Sequence, residues 1–343
     1  MKWNKNKDSL YLAIGHGTQI NGVWDSGCAY SKYTEAALML PIVKAAVKLL
    51  RKSGIKVYTD ADTKNNMNMT ATVNEANRKG VTLYASVHND YALATSGIMF
   101  YYGSANGKKF GDTVCKSMAT IMDMRFKGGV KDTAKYEVNG PNMPSIILEL
   151  GAIKADLDKL KQSKKYGRAL AKAICKYIGV PVYVSNQTKL ARKTAEILAY
   201  MNAHKFKYEK SYKKCGTSWK AAKKTKRSNC ATMICYTLQE LGYLEPGQIF
   251  WISGTAIRCV GSGTKARLKK YFKITHPNKK PSKDVEKKAD IDGYSPAHTQ
   301  EFVKFVDKTP RFYSWGPSDV GKKQPRHKKS YDAKVIKTRL RLK

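Results

Sequence analysis

Two histidines and two glutamates stand where they could hold a metal ion and move a proton. His16 sits between two glycines at the end of the apolar run Leu10 to Ile14, in SLYLAIGHG, and His88 ends a second apolar run in VTLYASVHND. Neutral imidazole is the commonest protein ligand for zinc, and two imidazoles brought into one crevice would start a metal site. Glu35 opens the segment TEAALMLPIVKAAVKLLRKSG, and Glu149 lies inside PSIILELGAI with apolar residues on both sides. A carboxylate buried without a partner is costly, so Glu149 calls for metal duty, catalytic duty or a buried ion pair. Each residue alone also has an ordinary explanation. A polar strand end would account for either histidine, and a carboxylate complementing a helix dipole would account for Glu35.

The elements around these residues decide whether they can meet. The His16 run suits a buried strand, and Gly15 and Gly17 let the chain turn at its carboxyl end, where ligands of open α/β sheets bind. Val81 to Val87 reads as a second strand with His88 at its end. The Glu35 segment has apolar residues at helical spacing, Thr34 as N-cap and Gly54 as C-cap. Between and beyond them we read a strand over Ile55 to Thr59, a helix near Thr72 to Lys79, a strand in GIMFYYG and a helix in GKKFGDTVCKSMATIMDMRF. The stretch KGGVKDTAKYEVNGPNMP reads as one long loop, with Tyr136 and Asn139 as candidates for substrate contact. The Glu149 strand and a helix ending at Gly179 close the domain. The alternation gives an α/β fold, a twisted mixed sheet with helices on both faces.

In this order GHG, DSG with a helix-opening glutamate, SVHND followed by GIMFYYGS, and PSIILELGAIKADLDKL resemble the zinc-dependent N-acetylmuramoyl-L-alanine amidases of the amidase-3 family. The resemblance covers about residues 9 to 180. It implies His16, Glu35 and His88 as ligands of Zn2+ and Glu149 as the catalytic glutamate. It also implies peptidoglycan as substrate, cut between the lactyl group of N-acetylmuramic acid and the L-alanine of the stem peptide. Three protein ligands would leave one position for water, whose pKa falls to roughly 7 on zinc. Two departures bear on substrate contacts: TDADTKNNMNMTATVNEAN stands where the family has an arginine-rich patch, and Ala152 stands where it has phenylalanine.

A second chemical possibility lies in the other half of the chain. Cys230 begins the helical segment CATMICYTLQELGYL, where the helix dipole and nearby lysines favour thiolate. His298, at the head of a strand-like alternation, offers a base, while Cys235 reads as core. This order of cysteine and histidine resembles the NlpC/P60 cysteine peptidases and, more loosely, the CHAP group, over about residues 205 to 343. That resemblance implies an α+β papain-like domain, acyl transfer to Cys230 with His298 as base, and a third orienting residue, for which Asp307 is the candidate. Asn229, Ala231 and Ala297 depart from the family pattern. His204, His276 and His327 lie among lysines and read as exposed, and YDAKVIKTRLRLK reads as a strand with its basic residues on one side.

Composition sets the outer bounds. A chain of 343 residues with 42% hydrophobic content is comfortable for two domains. We place an amidase domain over 1 to 180, a linker over 181 to 188, and a peptidase or cell-wall-binding domain over 189 to 343. Seven cysteines without CxxC spacing argue against a disulfide framework and a zinc ribbon. The net charge is +38, and residues 181 to 343 carry 37 basic against 12 acidic residues. Such a field draws the protein to a polyanion. No nucleic-acid reading motif is present, so teichoic acids and anionic peptidoglycan are the expected partners, with no specific nucleic acid; a basic nucleic-acid-binding protein is the reading from another class. No transmembrane segment is present, and the basic amino terminus runs straight into the His16 strand without a cleavage site. The expectation is a bifunctional peptidoglycan hydrolase, an endolysin or autolysin. It would be made in the bacterial cytoplasm without a signal peptide and act on the wall after release by holin or lysis. The alternative is an amidase whose carboxyl half only binds the wall.

Overall fold

The computed structural model describes residues 3–18, 21–62, 66–253, 255–278, 290–294, 298–306, 309–313, 315 and 338–343. The chain divides into two compact units, Met1–Tyr183 and Val184–Lys343.

In the first unit the strands are β1 (Ser9–Ile14), β2 (Ala29–Tyr30), β3 (Tyr33–Thr34), β4 (Lys56–Tyr58), β5 (Leu83–Asp90), β6 (Ile98–Tyr102), β7 (Phe126–Lys131) and β8 (Ser145–Ala152). The helices are α1 (Glu35–Lys52), α2 (Met69–Lys79), α3 (Ala105–Met122), α4 (Tyr136–Asn139), α5 (Leu157–Leu160) and α6 (Ser163–Ile178). Strands β4, β1, β5, β8, β6 and β7 form one sheet in that order. All neighbours run parallel except β8 and β6, which are antiparallel, so the sheet is mixed. Every residue of β1 is buried, because both faces of the sheet are covered. Leu10, Leu12 and Ile14 point into one cluster with Met39, Ile42 and Val43 of α1 and with residues of α3 and α6. Tyr11 and Ala13 point the other way, into a smaller cluster with Val73 and Ala76 of α2 and Tyr84. This period-two division confirms the mixed α/β sheet with helices on both faces. Helices α1 and α6 meet closely at Gly167, where a Cβ would lie 2.5 Å from the Cβ of Ala45 and from the carbonyl oxygen of Ile42.

Several boundaries differ from those read in the sequence. β5 runs on past Val87 to Asp90: His88 and Asn89 are buried among polar partners, His88 pairs with Glu149, and Asp90 pairs with Ala152 after a register shift at Asn89. Helix α2 starts at Met69, three residues before Thr72, since Asn68 caps it by accepting from the Ala71 N–H at 2.8 Å. α1 ends with Ser53 as its C-cap, and Gly54 follows at φ +80°. The stretch read as one long loop contains edge strand β7 and the helical turn α4. β7 escapes a periodicity argument because it is only partly covered and carries two glycines and two lysines.

The second unit contains α7 (Asn186–Ala203), β9 (Lys207–Tyr208), α8 (Tyr212–Cys215), α9 (Trp219–Thr225), β10 (Arg227–Ser228) and α10 (Cys230–Glu240). These are followed by β11 (Ile249–Ser253), β12 (Ala256–Val260), α11 (Thr264–Tyr271), β13 (Phe272–Thr275), β14 (Ile291–Tyr294), β15 (His298–Val306), β16 (Thr309–Tyr313) and β17 (Thr338–Leu342). Residues 186–188, read from the sequence as linker, form the first turn of α7, whose N-cap Ser185 accepts from the Thr188 N–H. Strands β13, β17, β14, β15 and β16 make an antiparallel sheet in that order, and β11 and β12 form a hairpin. Helix α10 packs against β11 and β15, giving an α+β unit. The core gathers Leu190 and Leu198 of α7, Ile234 and Leu238 of α10, Phe250, Ile291 and Trp315. β17 is a strand, but its basic residues are not simply a solvated face. Arg339 is buried and forms a two-pronged pair with Asp292 at 2.7 and 3.0 Å, and Arg341 reaches Asp290 at 2.6 Å.

Candidate metal centre

β1, β5 and β8 lie side by side and parallel, so the residues at their carboxyl ends share one edge of the sheet. His16 follows β1 by two residues, His88 lies near the end of β5, and Glu149 faces His88 in register on β8. Glu35 is the first residue of α1, and its backbone N–H donates to the Cys28 carbonyl at 2.9 Å. Gly15 is required here for room. A Cβ on it would lie 2.0 Å from Cε1 of His88, inside the imidazole ring's own space.

Glu35 stands between the two histidines. Its Oε2 is 3.4 Å from His16 Nε2 and its Oε1 is 3.0 Å from His88 Nδ1. The carboxylate also accepts the N–H groups of Cys28 at 3.1 Å and Asn89 at 3.0 Å. Burial works against its charge, yet the hydrogen bonds from His16 and His88 hold Glu35 well below the usual carboxylate range. The ring nitrogens that turn away from Glu35 have acidic partners of their own. His16 Nδ1 lies 2.9 Å from Asp25 Oδ2, and His88 Nε2 lies 2.9 Å from Glu137 Oε2. Burial disfavours a charged His88, but Glu137 and Glu35 outweigh it and push its pKa up.

One donor atom from each of His16, Glu35 and His88 lies within 4.8 Å of the others. Two imidazole nitrogens and a carboxylate oxygen make a donor set suited to zinc, and a carboxylate behind each imidazole is the arrangement that orients histidine ligands. The residues present therefore fit the ion that the sequence resemblance implies. Glu149 completes the group as an acid apart from it. Its Oε2 is buried and has no hydrogen-bond partner among the described residues. Burial, with Glu35 and Asp90 adding to it and His88 opposing, pushes its pKa up to about 7. Beside His16 opens a cavity of about 430 Å³ lined by Gly17, Asn21, Asp25, Asn68, Met69 and Thr70.

Three acids of this neighbourhood carry roles that the sequence reading did not assign. Asp25 stood within the DSG motif but without a task, and it is the partner of His16. Asp60 accepts the N–H of Ile14 at 3.0 Å and that of Met67 at 3.1 Å, tying the end of β1 to the approach of α2. Glu137 lay in the supposed long loop, where Tyr136 and Asn139 drew attention instead. The turn of α4 leaves those two exposed and sends Glu137 inward. A single acid among polar neighbours carries no periodicity, so only the coil of α4 reveals it. The Tyr136 hydroxyl lies 3.4 Å from Asn74 Oδ1.

In the second unit Cys230 is the first residue of α10 and half-buried. Asn229 and Thr232 form a capping box around the helix start, and the Asn229 amide donates to the Glu209 carbonyl at 3.1 Å. His298 heads β15, paired with Tyr294. Asp307 and His327 lie outside the described residues. Cys235 is buried with its sulfur 3.3 Å from the Phe250 carbonyl oxygen, and His204 and His276 are exposed.

Known proteins resemble this chain over about half of its length. The "Uncharacterized protein YqiI" of Bacillus subtilis (strain 168) is 25% identical over 173 residues, which are 48% of this chain and 81% of that protein. Among solved structures, the N-acetylmuramoyl-L-alanine amidase AmiC2 of Nostoc punctiforme is 23% identical with a TM-score of 0.46, covering 51% of this chain and 98% of its own. An N-acetylmuramoyl-L-alanine amidase of Clostridium difficile 630 is 22% identical with a TM-score of 0.45, covering 51% and 98%. Residues 10–180 match the Amidase_3 profile, described as N-acetylmuramoyl-L-alanine amidase, and so the first unit of this chain carries a domain of that family.

Proposed function

We propose that the first unit is a zinc-dependent amidase that cuts the N-acetylmuramoyl-L-alanine bond of peptidoglycan. The observation that carries this reading is the convergence of His16, Glu35 and His88 beside a buried Glu149 oxygen that has no hydrogen-bond partner among the described residues. A zinc ion held by the three residues supplies a Lewis acid for the amide carbonyl and an acidified water. The chain's own residues do the rest. Asp25 and Glu137 hold the two imidazoles in place from behind. Glu149, with a pKa near neutrality, takes a proton from the attacking water and returns it to the leaving amine of L-alanine. Asn68 and Thr70 on the cavity wall offer hydrogen bonds for the muramoyl group or the stem peptide.

For the second unit the reading is a stem-peptide endopeptidase of the NlpC/P60 kind on a papain-like scaffold. Its support is the position of Cys230 at the start of α10 and of His298 on a strand that packs against that helix. The strong positive charge favours attraction to teichoic acids and other anionic wall polymers. A lytic role, as endolysin or autolysin, is the setting proposed for both activities. Chelation tests the metal reading. Stem-peptide release from purified peptidoglycan should stop after treatment with a chelator and return on adding zinc, whereas release that persists without metal refutes it.

A further inference from the structure

Glu137 is 1% exposed and lies at the centre of a hydrogen-bond cluster beneath the candidate metal centre. Its Oε1 accepts from the Tyr84 hydroxyl at 3.1 Å, and its Oε2 lies 2.9 Å from His88 Nε2. The Thr72 hydroxyl stands 3.0 Å from that of Tyr84. The turn bearing Glu137 is itself clamped. The Ser145 hydroxyl donates to the Val138 carbonyl at 2.8 Å, and the Asn77 amide donates to the Gly140 carbonyl at 2.9 Å. Glu137 and His88 are both buried.

We propose that Glu137 is a positioning residue that selects the tautomer of His88, fixing the proton on Nε2 and leaving the Nδ1 lone pair for the metal. The inference rests on the metal-binding reading of His16, Glu35 and His88. Oε1 of Glu137 already accepts from the Tyr84 hydroxyl, and Oε2 is the acceptor left facing Nε2, so that nitrogen is the one placed to carry hydrogen. The other neighbour of Nε2, the Ser86 hydroxyl at 3.0 Å, can donate or accept and imposes no choice. Nδ1 is the nitrogen that faces Glu35, and its distance there is 3.0 Å. In the metal-free protein Nδ1 can donate to Glu35; once a metal takes that place the single remaining proton must stay on Nε2, and without Glu137 nothing would hold it there. His16 has the mirror arrangement, with Nδ1 against Asp25 and Nε2 toward Glu35. The two histidines thus present opposite ring nitrogens to one point, each dictated by its own acid.

The test is zinc affinity, measured by chelator competition on the full chain. Glu137→Gln keeps the shape but gives an amide that can turn its NH2 toward Nε2 and support the wrong tautomer. It should weaken zinc binding about 10- to 100-fold, with the thermal midpoint of the metal-free protein little changed. Tyr84→Phe, which removes the contacts to the Thr72 hydroxyl and to the far oxygen of Glu137 but leaves the oxygen that faces His88, should weaken it much less. In zinc-loaded wild type, 15N NMR should find His88 Nε2 protonated and Nδ1 without hydrogen. Glu137→Gln affinity within twofold of wild type, or Nε2 as the metal-bearing nitrogen, overturns the proposal. Wild type that binds no zinc overturns the metal reading as well, so the two failures are distinguishable.

Discussion

His88 and Glu149 are cross-strand partners in the parallel β5 and β8 pair. Residues in register on adjacent strands point to the same face, so the proposed ligand and the proposed proton carrier are delivered together by one line of backbone hydrogen bonds. Glu149 donates nothing to the ligand set, whose members are His16, Glu35 and His88. Glu149→Gln should therefore bind zinc as wild type does while losing about 10²- to 10⁴-fold in turnover. Metal content and hydrolysis of a muramoyl peptide, measured on the same sample, check this; metal lost along with activity would make Glu149 a ligand.

The acidity of Glu149 gives two pH effects. Its pKa is raised from 4.5 to about 7, chiefly by burial. As a proton acceptor it must be ionised, so amidase activity should fall as pH drops below about 7, with a bound cation moving this limb downward. In the metal-free protein the sign for stability is the reverse. A carboxyl with a raised native pKa stabilises the fold fully below its unfolded value and loses that contribution as pH climbs through the native one. Between pH 4.5 and 7 wild type should lose up to about 3 kcal/mol relative to Glu149→Gln. Denaturant unfolding of the two proteins at both pH values measures it, and parallel curves would contradict it.

Asp60 makes a structural prediction. It satisfies two backbone N–H groups, those of Ile14 and Met67. Asp60→Ala should destabilise the first unit by about 1–3 kcal/mol for each N–H left without a partner. Asp60→Asn, which keeps one acceptor, should lose less. Equal midpoints for Asp60→Ala and wild type would show that water replaces the carboxylate.

What the sequence revealed here and what it hid follow from one cause. Leu10 to Ile14 and the run ending at Leu148 are long apolar stretches covered on both faces, so their strands and the residues at their ends were legible. His16, Glu35, His88 and Glu149 inherited that clarity. β7 and α4 were hidden because an edge strand with two glycines and a one-turn helix make no periodic pattern. Glu137 was hidden with them, since its partner lies 49 residues away in β5. Arg339 and Arg341 looked like surface charge, and only the pairing of β14 with β17 places them against Asp292 and Asp290.

The second unit has its own test. Cys230→Ser and His298→Ala should each abolish cleavage within stem peptides and leave release of whole stems intact. Muropeptide profiles from the same digest report both. Profiles identical to wild type would leave the second unit as a wall-binding domain.

The central claim is a metal-dependent cut at the muramoyl-L-alanine bond, and His88→Ala addresses it most directly. Fragments released from purified peptidoglycan by zinc-loaded wild type and by His88→Ala should be compared by mass spectrometry. The account predicts stem peptides with a free L-alanine amino terminus from wild type and none from the variant, which should also have lost its zinc. Such peptides released equally by His88→Ala would contradict it.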